Sequence, residues 1–151
     1  MGKSKNRKEA TYYSCRLSAV AISQISVKGL LMKRILIVDD ASFMRLAINE
    51  ALVNSGFEVA GEAEDGKEAI EQYKLLKPDA VTMDITMPVM SGLEALKEIM
   101  KLDPNAKVLM ISALGQDTQV KEAILNGAKS FIVKPFQEEK VVQVLNKILE
   151  S

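Results

Sequence analysis

The chain predicts an α/β protein: one domain built on a five-stranded parallel sheet with helices packed on both faces. Three observations carry this expectation. Five short apolar runs alternate with five stretches of helical periodicity. Every connection is short, so parallel neighbours must be joined through the helices themselves. Four of the five runs also end in polar or charged residues, at the sheet edge where open α/β folds bind ligands.

Taken in order, Arg34-Ile35-Leu36-Ile37-Val38 is a continuous apolar run, as expected of a strand buried on both faces, and it ends at Asp39-Asp40. Ser42 is placed to cap a helix whose stripe is Met44, Ala47, Ile48, Ala51 and Leu52, with Gly56 as its stop. Residues 57–63 alternate more and predict a less buried strand. Asp65-Gly66 opens a second helix with Ala69, Ile70 and Tyr73 inward, closed by Lys77-Pro78. The run from Ala80 to Met83 is the third strand and stops at Asp84. Ser91 caps a third helix carrying Leu93, Leu96 and Met100, and Asp103-Pro104-Asn105 turns the chain.

The fourth strand covers 107–111 and ends at Ser112. Asp117-Thr118 starts a short fourth helix with Val120, Ala123 and Ile124 inward, closed by Gly127. Residues 130–133 form the fifth strand, followed by Lys134-Pro135. The last helix starts near Gln137 and places Val141, Val144, Leu145 and Ile148 on one face, a stripe read as core packing.

Composition narrows the function. A chain of 151 residues that is 48% hydrophobic and 26% charged is globular rather than disordered. No apolar run is long enough for a membrane span. The single Cys15 excludes an internal disulfide and suits a reducing, cytoplasmic setting. With no histidine, catalysis or metal ligation by imidazole is excluded within this chain. Residues 1–31 carry six basic groups against one acid, a net of +5, and residues 32–151 carry 14 basic and 19 acidic groups, a net of −5. The expectation is a basic extension outside the fold over 1–31 and one folded domain over 32–151. The acidic balance of that domain offers no nucleic-acid footprint.

The polar strand ends are the candidate site: Asp39 and Asp40, Asp84, Ser112 and Lys134. In the flavodoxin-like strand order 2-1-3-4-5 the first and third strands are neighbours at the switch point, which would gather the three aspartates. Three carboxylates in one cleft repel one another and call for a cation, and an all-oxygen donor set favours Mg²⁺ over zinc. An aspartate there can form an acyl phosphate. Phosphoryl transfer asks mainly for positioning and charge neutralisation, which a cation and the Lys134 ammonium would supply. Each of these residues taken alone is an ordinary turn or strand-end residue. Independent turn residues, however, need not fall on one rim of one sheet.

The set Asp39-Asp40, Asp84 with Met87-Pro88, Ser112-Ala113 and Lys134-Pro135-Phe136 resembles the response-regulator receiver family over residues 32–151. Residues 81–88, with Gly127-Ala128-Lys129 and residues 131–137, are similar to its stand-alone, CheY-type chemotaxis members. The resemblance implies that Asp84 is the phospho-acceptor and that Asp40 binds Mg²⁺ directly, with Asp39 acting through water. The Thr86 backbone carbonyl would complete the protein's share of the metal shell. Lys134 would bridge acceptor and phosphoryl group, next to a cis Lys134–Pro135 bond. Ser112 and Phe131 would act as switch residues; serine stands where threonine is frequent, and phenylalanine where tyrosine is.

It further implies a cytoplasmic, monomeric switch rather than a turnover enzyme. A histidine kinase would be its donor and a flagellar motor switch protein its target. The alternatives are a phosphorelay intermediate, a receiver that regulates another kinase, or a haloacid-dehalogenase-type phosphatase. The last normally carries its nucleophile after the first strand, with a second aspartate two residues on, where Thr86 stands here.

Overall fold

A computed structural model describes residues 32–113 and 117–150. The expected extension over 1–31 lies outside these residues. The described elements are β1 (Arg34–Val38), α1 (Ser42–Asn54), β2 (Glu58–Ala63), α2 (Gly66–Leu76), β3 (Ala80–Met83), α3 (Gly92–Leu102), β4 (Val108–Ser112), α4 (Asp117–Leu125), β5 (Ser130–Val133) and α5 (Glu138–Glu150). The strands pair in the order β2-β1-β3-β4-β5, and every pairing is parallel.

Successive strand residues point to opposite faces, so each strand feeds two cores. On one face Leu36, Val38, Val81, Met83, Val108 and Met110 pack against α2, α3 and α4 through Tyr73, Leu96, Ile99 and Ala123. On the other Ile35, Ile37, Leu109, Ile111 and Ile132 pack against α1 and α5 through Ile48, Leu52, Leu145 and Ile148. Burying each such aliphatic side chain contributes about 1.5–3 kcal/mol. That explains why strands of four or five residues need no alternation of polar and apolar positions.

Local chemistry sets most element ends. Asp65 accepts the Glu68 N–H at 2.8 Å and caps α2. Ser91 and Glu94 form a reciprocal capping box at the start of α3, with bonds of 3.2 and 3.1 Å. Three expectations change. Ser42 is the first helical residue rather than the cap. Asp39 Oδ1 accepts the Ala41 N–H at 2.9 Å, an Asx turn that starts α1 one residue early, with Ala41 at the N-cap position. Ser112 lies inside β4, opposite Val133, instead of beyond its end. On α4 only Ala123 is fully buried, and Ile124 is 47% exposed. The last helix behaves as expected, with Val141, Leu145 and Ile148 buried.

Candidate functional site

The register of the sheet builds the site. Val38 pairs with Met83, so Asp39 and Asp84, the next residue of each strand, leave the sheet at the same level. The Asp84 N–H donates to the Val38 carbonyl at 3.0 Å, and the Asp39 N–H to the Ala63 carbonyl at 3.1 Å, which extends the ladder one residue past the strands. Asp39 and Asp84 are buried and Asp40 is exposed. One carboxylate oxygen from each of the three lies within 4.8 Å of the others. Lys134 reaches this group from the end of β5. Its Nζ donates to Asp39 Oδ2 at 2.8 Å and lies 3.7 Å from Asp84 Oδ2.

The backbone of the β3–α3 connection is braced against Asp84. Gly92 N–H donates to the Ile85 carbonyl at 2.8 Å. A Cβ on Gly92 would fall on the Asp84 carbonyl oxygen, so only glycine allows the start of α3 to lie this close to the acid. Asp84 Oδ1 accepts the N–H of Ile85 at 2.9 Å.

Electrostatics separate Asp84 from an ordinary surface carboxylate. Burial pushes its pKa up to about 6. The Lys134 ammonium pulls it down, Asp39 raises it, the Ile85 N–H lowers it and Asp40 raises it further. A side chain with that value is still roughly nine-tenths ionised at pH 7. The donor set is compact, all oxygen and acidic, which fits a hard divalent cation of the Mg²⁺ kind and not a thiophilic metal.

The remaining predicted residues lie on β4, on β5 and in the loop after β3. Ser112 is buried at the end of β4, and its carbonyl accepts the Lys134 N–H at 2.8 Å. Thr86 is exposed in the loop beyond Asp84. Phe131 lies in β5 opposite Met110, partly buried against the α2–α4 core. The Lys134–Pro135 peptide is cis. One participant escaped the sequence reading, Arg45 on α1. Its Nη1 donates to the Asp39 carbonyl at 2.7 Å, and its Nε to Glu62 at 2.9 Å. An arginine on the solvent side of a helical stripe carries no signal of this kind; only its place one turn after an acidic pair could have raised it.

A doubly wound α/β fold whose switch point carries three aspartates and a lysine defines a receiver-type site. Comparison with known proteins agrees. The response regulator receiver domain family matches residues 35–146, and the chain belongs to that family. It is 62% identical to the chemotaxis protein CheY of Thermotoga maritima over 116 residues, 77% of this chain and 97% of that protein. It is 58% identical to CheY of Bacillus subtilis over the same proportions. Among solved structures, a chain of the CheX–CheY–BeF3–Mg complex from Borrelia burgdorferi is similar, with a TM-score of 0.75 and 43% identity. That match covers 77% of this chain and 88% of the other.

Proposed function

We propose that this chain is a chemotaxis response regulator of the two-component phosphorelay, a signalling switch that takes a phosphoryl group on Asp84. The observation that supports the reading best is the placement of the Asp84 carboxylate beside Asp39, Asp40 and Lys134 at the β1/β3 switch point. Its relatives are CheY proteins along almost their whole length, which favours chemotaxis over a relay intermediate or a kinase-regulating receiver. A phosphatase of the haloacid-dehalogenase type is disfavoured, because the candidate nucleophile follows β3 rather than β1.

The residues assign themselves by chemistry. The ionised Asp84 carboxylate attacks phosphorus in line. An O–P bond forms as the P–N bond of a kinase phosphohistidine breaks, and the departing imidazole nitrogen keeps the electron pair and takes a proton from solvent. Asp39, Asp40, Asp84 and the Thr86 carbonyl would hold Mg²⁺, which supplies positive charge against the phosphoryl oxygens. The Borrelia relative was crystallised with BeF3 and Mg, consistent with that choice. Lys134 adds a second positive charge, and the Ser112 hydroxyl donates to a phosphoryl oxygen.

The acyl phosphate brings about −1.5 to −2 charge to a small, partly buried rim. Ser112 and Phe131 carry that change to the surface formed by α4, β5 and α5, whose partner is a flagellar motor switch protein. Slow hydrolysis resets the switch, so the chain does not turn over a substrate. It works as a cytoplasmic monomer, with residues 32–151 as the receiver.

The test is incubation with Mg²⁺ and acetyl phosphate followed by intact-mass measurement. One phosphate adduct is expected, absent from Asp84→Ala. An undiminished adduct in that variant would overturn the assignment of Asp84. Phosphorylation-dependent co-purification with the motor switch protein tests the output.

A further inference from the structure

Asp39 is held at every polar atom. Its N–H donates to Ala63, Oδ1 accepts from Ala41, Oδ2 accepts from Lys134, and its carbonyl accepts from Arg45. The last contact matters most for Asp40. The Asp39 carbonyl and the Asp40 Cα belong to one planar peptide unit. Whatever pins that oxygen therefore fixes where Asp40 starts, although Asp40 itself is exposed.

Arg45 is built for the task. It sits in the first turn of α1, and its side chain is only 13% exposed. Its Nη1 donates to Asp39 at 2.7 Å and its Nε to Glu62 Oε1 at 2.9 Å, while Nη2 lies 3.7 Å from Glu64. Glu62 is itself steadied by Asn49 at 3.1 Å. The guanidinium thus bridges the β1–α1 turn and the end of β2, so the fork cannot swing away from the carbonyl. A lysine carries its donors on a single nitrogen and lacks the planar fork, so it cannot reproduce this two-nitrogen bridge.

We propose that Arg45 is a positioning residue that aims the Asp39–Asp40 pair, so that divalent-cation affinity depends on its fork. This rests on the reading of the acid cluster as a Mg²⁺ site. The sign of the effect separates positioning from simple charge. Removing a positive group near a cation site should tighten cation binding if charge alone acts. Loss of a residue that orients a ligand should weaken it, by about 10-fold or more.

The experiment is a Mg²⁺ titration of the full chain at constant ionic strength, followed by amide ¹H–¹⁵N shifts of Asp39–Ala41 and Asp84–Ile85. Wild type, Arg45→Met and Arg45→Lys are compared, with folding checked by thermal melts in the absence of Mg²⁺. Arg45→Met is expected to bind about 10-fold more weakly, and Arg45→Lys, at unchanged charge, at least several-fold more weakly. Equal or tighter binding by either folded variant overturns the proposal. Should Arg45→Met not fold, Arg45→Lys decides. A wild-type protein whose rim amides ignore Mg²⁺ would instead overturn the cation-site reading beneath it.

Discussion

β1 and β3 lie side by side and each ends in a buried aspartate, but the two carboxylates are held very differently. Asp39 has both carboxylate oxygens occupied, one by Ala41 and one by Lys134 at 2.8 Å. Asp84 has one oxygen on the Ile85 N–H, and its other oxygen faces Lys134 at 3.7 Å. Burial and its acidic neighbours push Asp84 up to about 6. The β1 end is arranged as an anchor. The β3 end keeps an under-neutralised carboxylate, which costs stability without a cation. The difference comes from contrast between neighbours rather than from any one residue.

Three changes would break or sharpen that contrast. The largest effect belongs to Gly92→Ala. Its methyl would be forced onto the Asp84 carbonyl, with the carbonyl carbon 2.8 Å and the Ile85 Cα 3.0 Å away. A loss of about 3 kcal/mol is expected from such overpacking against backbone, read as a lower midpoint in urea. An unchanged midpoint would mean that the β3 end is not braced by α3.

Next comes Lys134→Met, which strips both acids of their shared ammonium. About 2 kcal/mol is expected, less than for a fully buried pair because the Lys134 side chain keeps 16% exposure. The Asp84 carboxyl should also titrate above its present value of about 6, because Lys134 is the largest influence holding it down. A ¹³C titration of that carboxyl showing no upward move would count against the shared role of the lysine.

The smallest effect is a gain. Asp84→Asn should stabilise the cation-free protein at pH 7.5 by about 1–2 kcal/mol, after allowance for solvent screening. The sign follows from linkage. The folded-state pKa of Asp84 is raised from 3.8 to about 6, so the wild type keeps full stability below about pH 4 and loses it as pH rises through 6. The gap between variant and wild type should therefore open between pH 4 and 6 and be flat above. A gap independent of pH would point to packing instead of charge.

Much of this was legible from residues alone, for local reasons. β3 and β5 were placed at their observed bounds, since apolar runs stop where a charged or proline residue makes further burial unfavourable. The Ser91 cap is a bond across three residues. α1 starts one residue before the position a Ser42 cap implies, because the Asp39 side chain turns the chain at Ala41 and the Ala41 carbonyl accepts the Arg45 N–H at 3.1 Å. The i, i+3, i+4 spacing of Val120, Ala123 and Ile124 predicts Ile124 inward. α4 is short and carries a single fully buried residue, Ala123, so periodicity did not fix its rotation.

The sequence by itself determined the alternation of strands and helices and the residues that terminate β1, β3 and β5, because backbone propensity, capping and hydrophobic runs act over a few residues. Only the tertiary structure decided what those termini do to one another. Lys134 meets Asp39 across 95 residues of chain, Arg45 ties the β1–α1 turn to β2, and Gly92 presses on Asp84. Those contacts depend on strand order and register. The raised pKa of Asp84 depends in turn on burial and on charges brought within a few ångströms by that register, a quantity no stretch of local sequence contains.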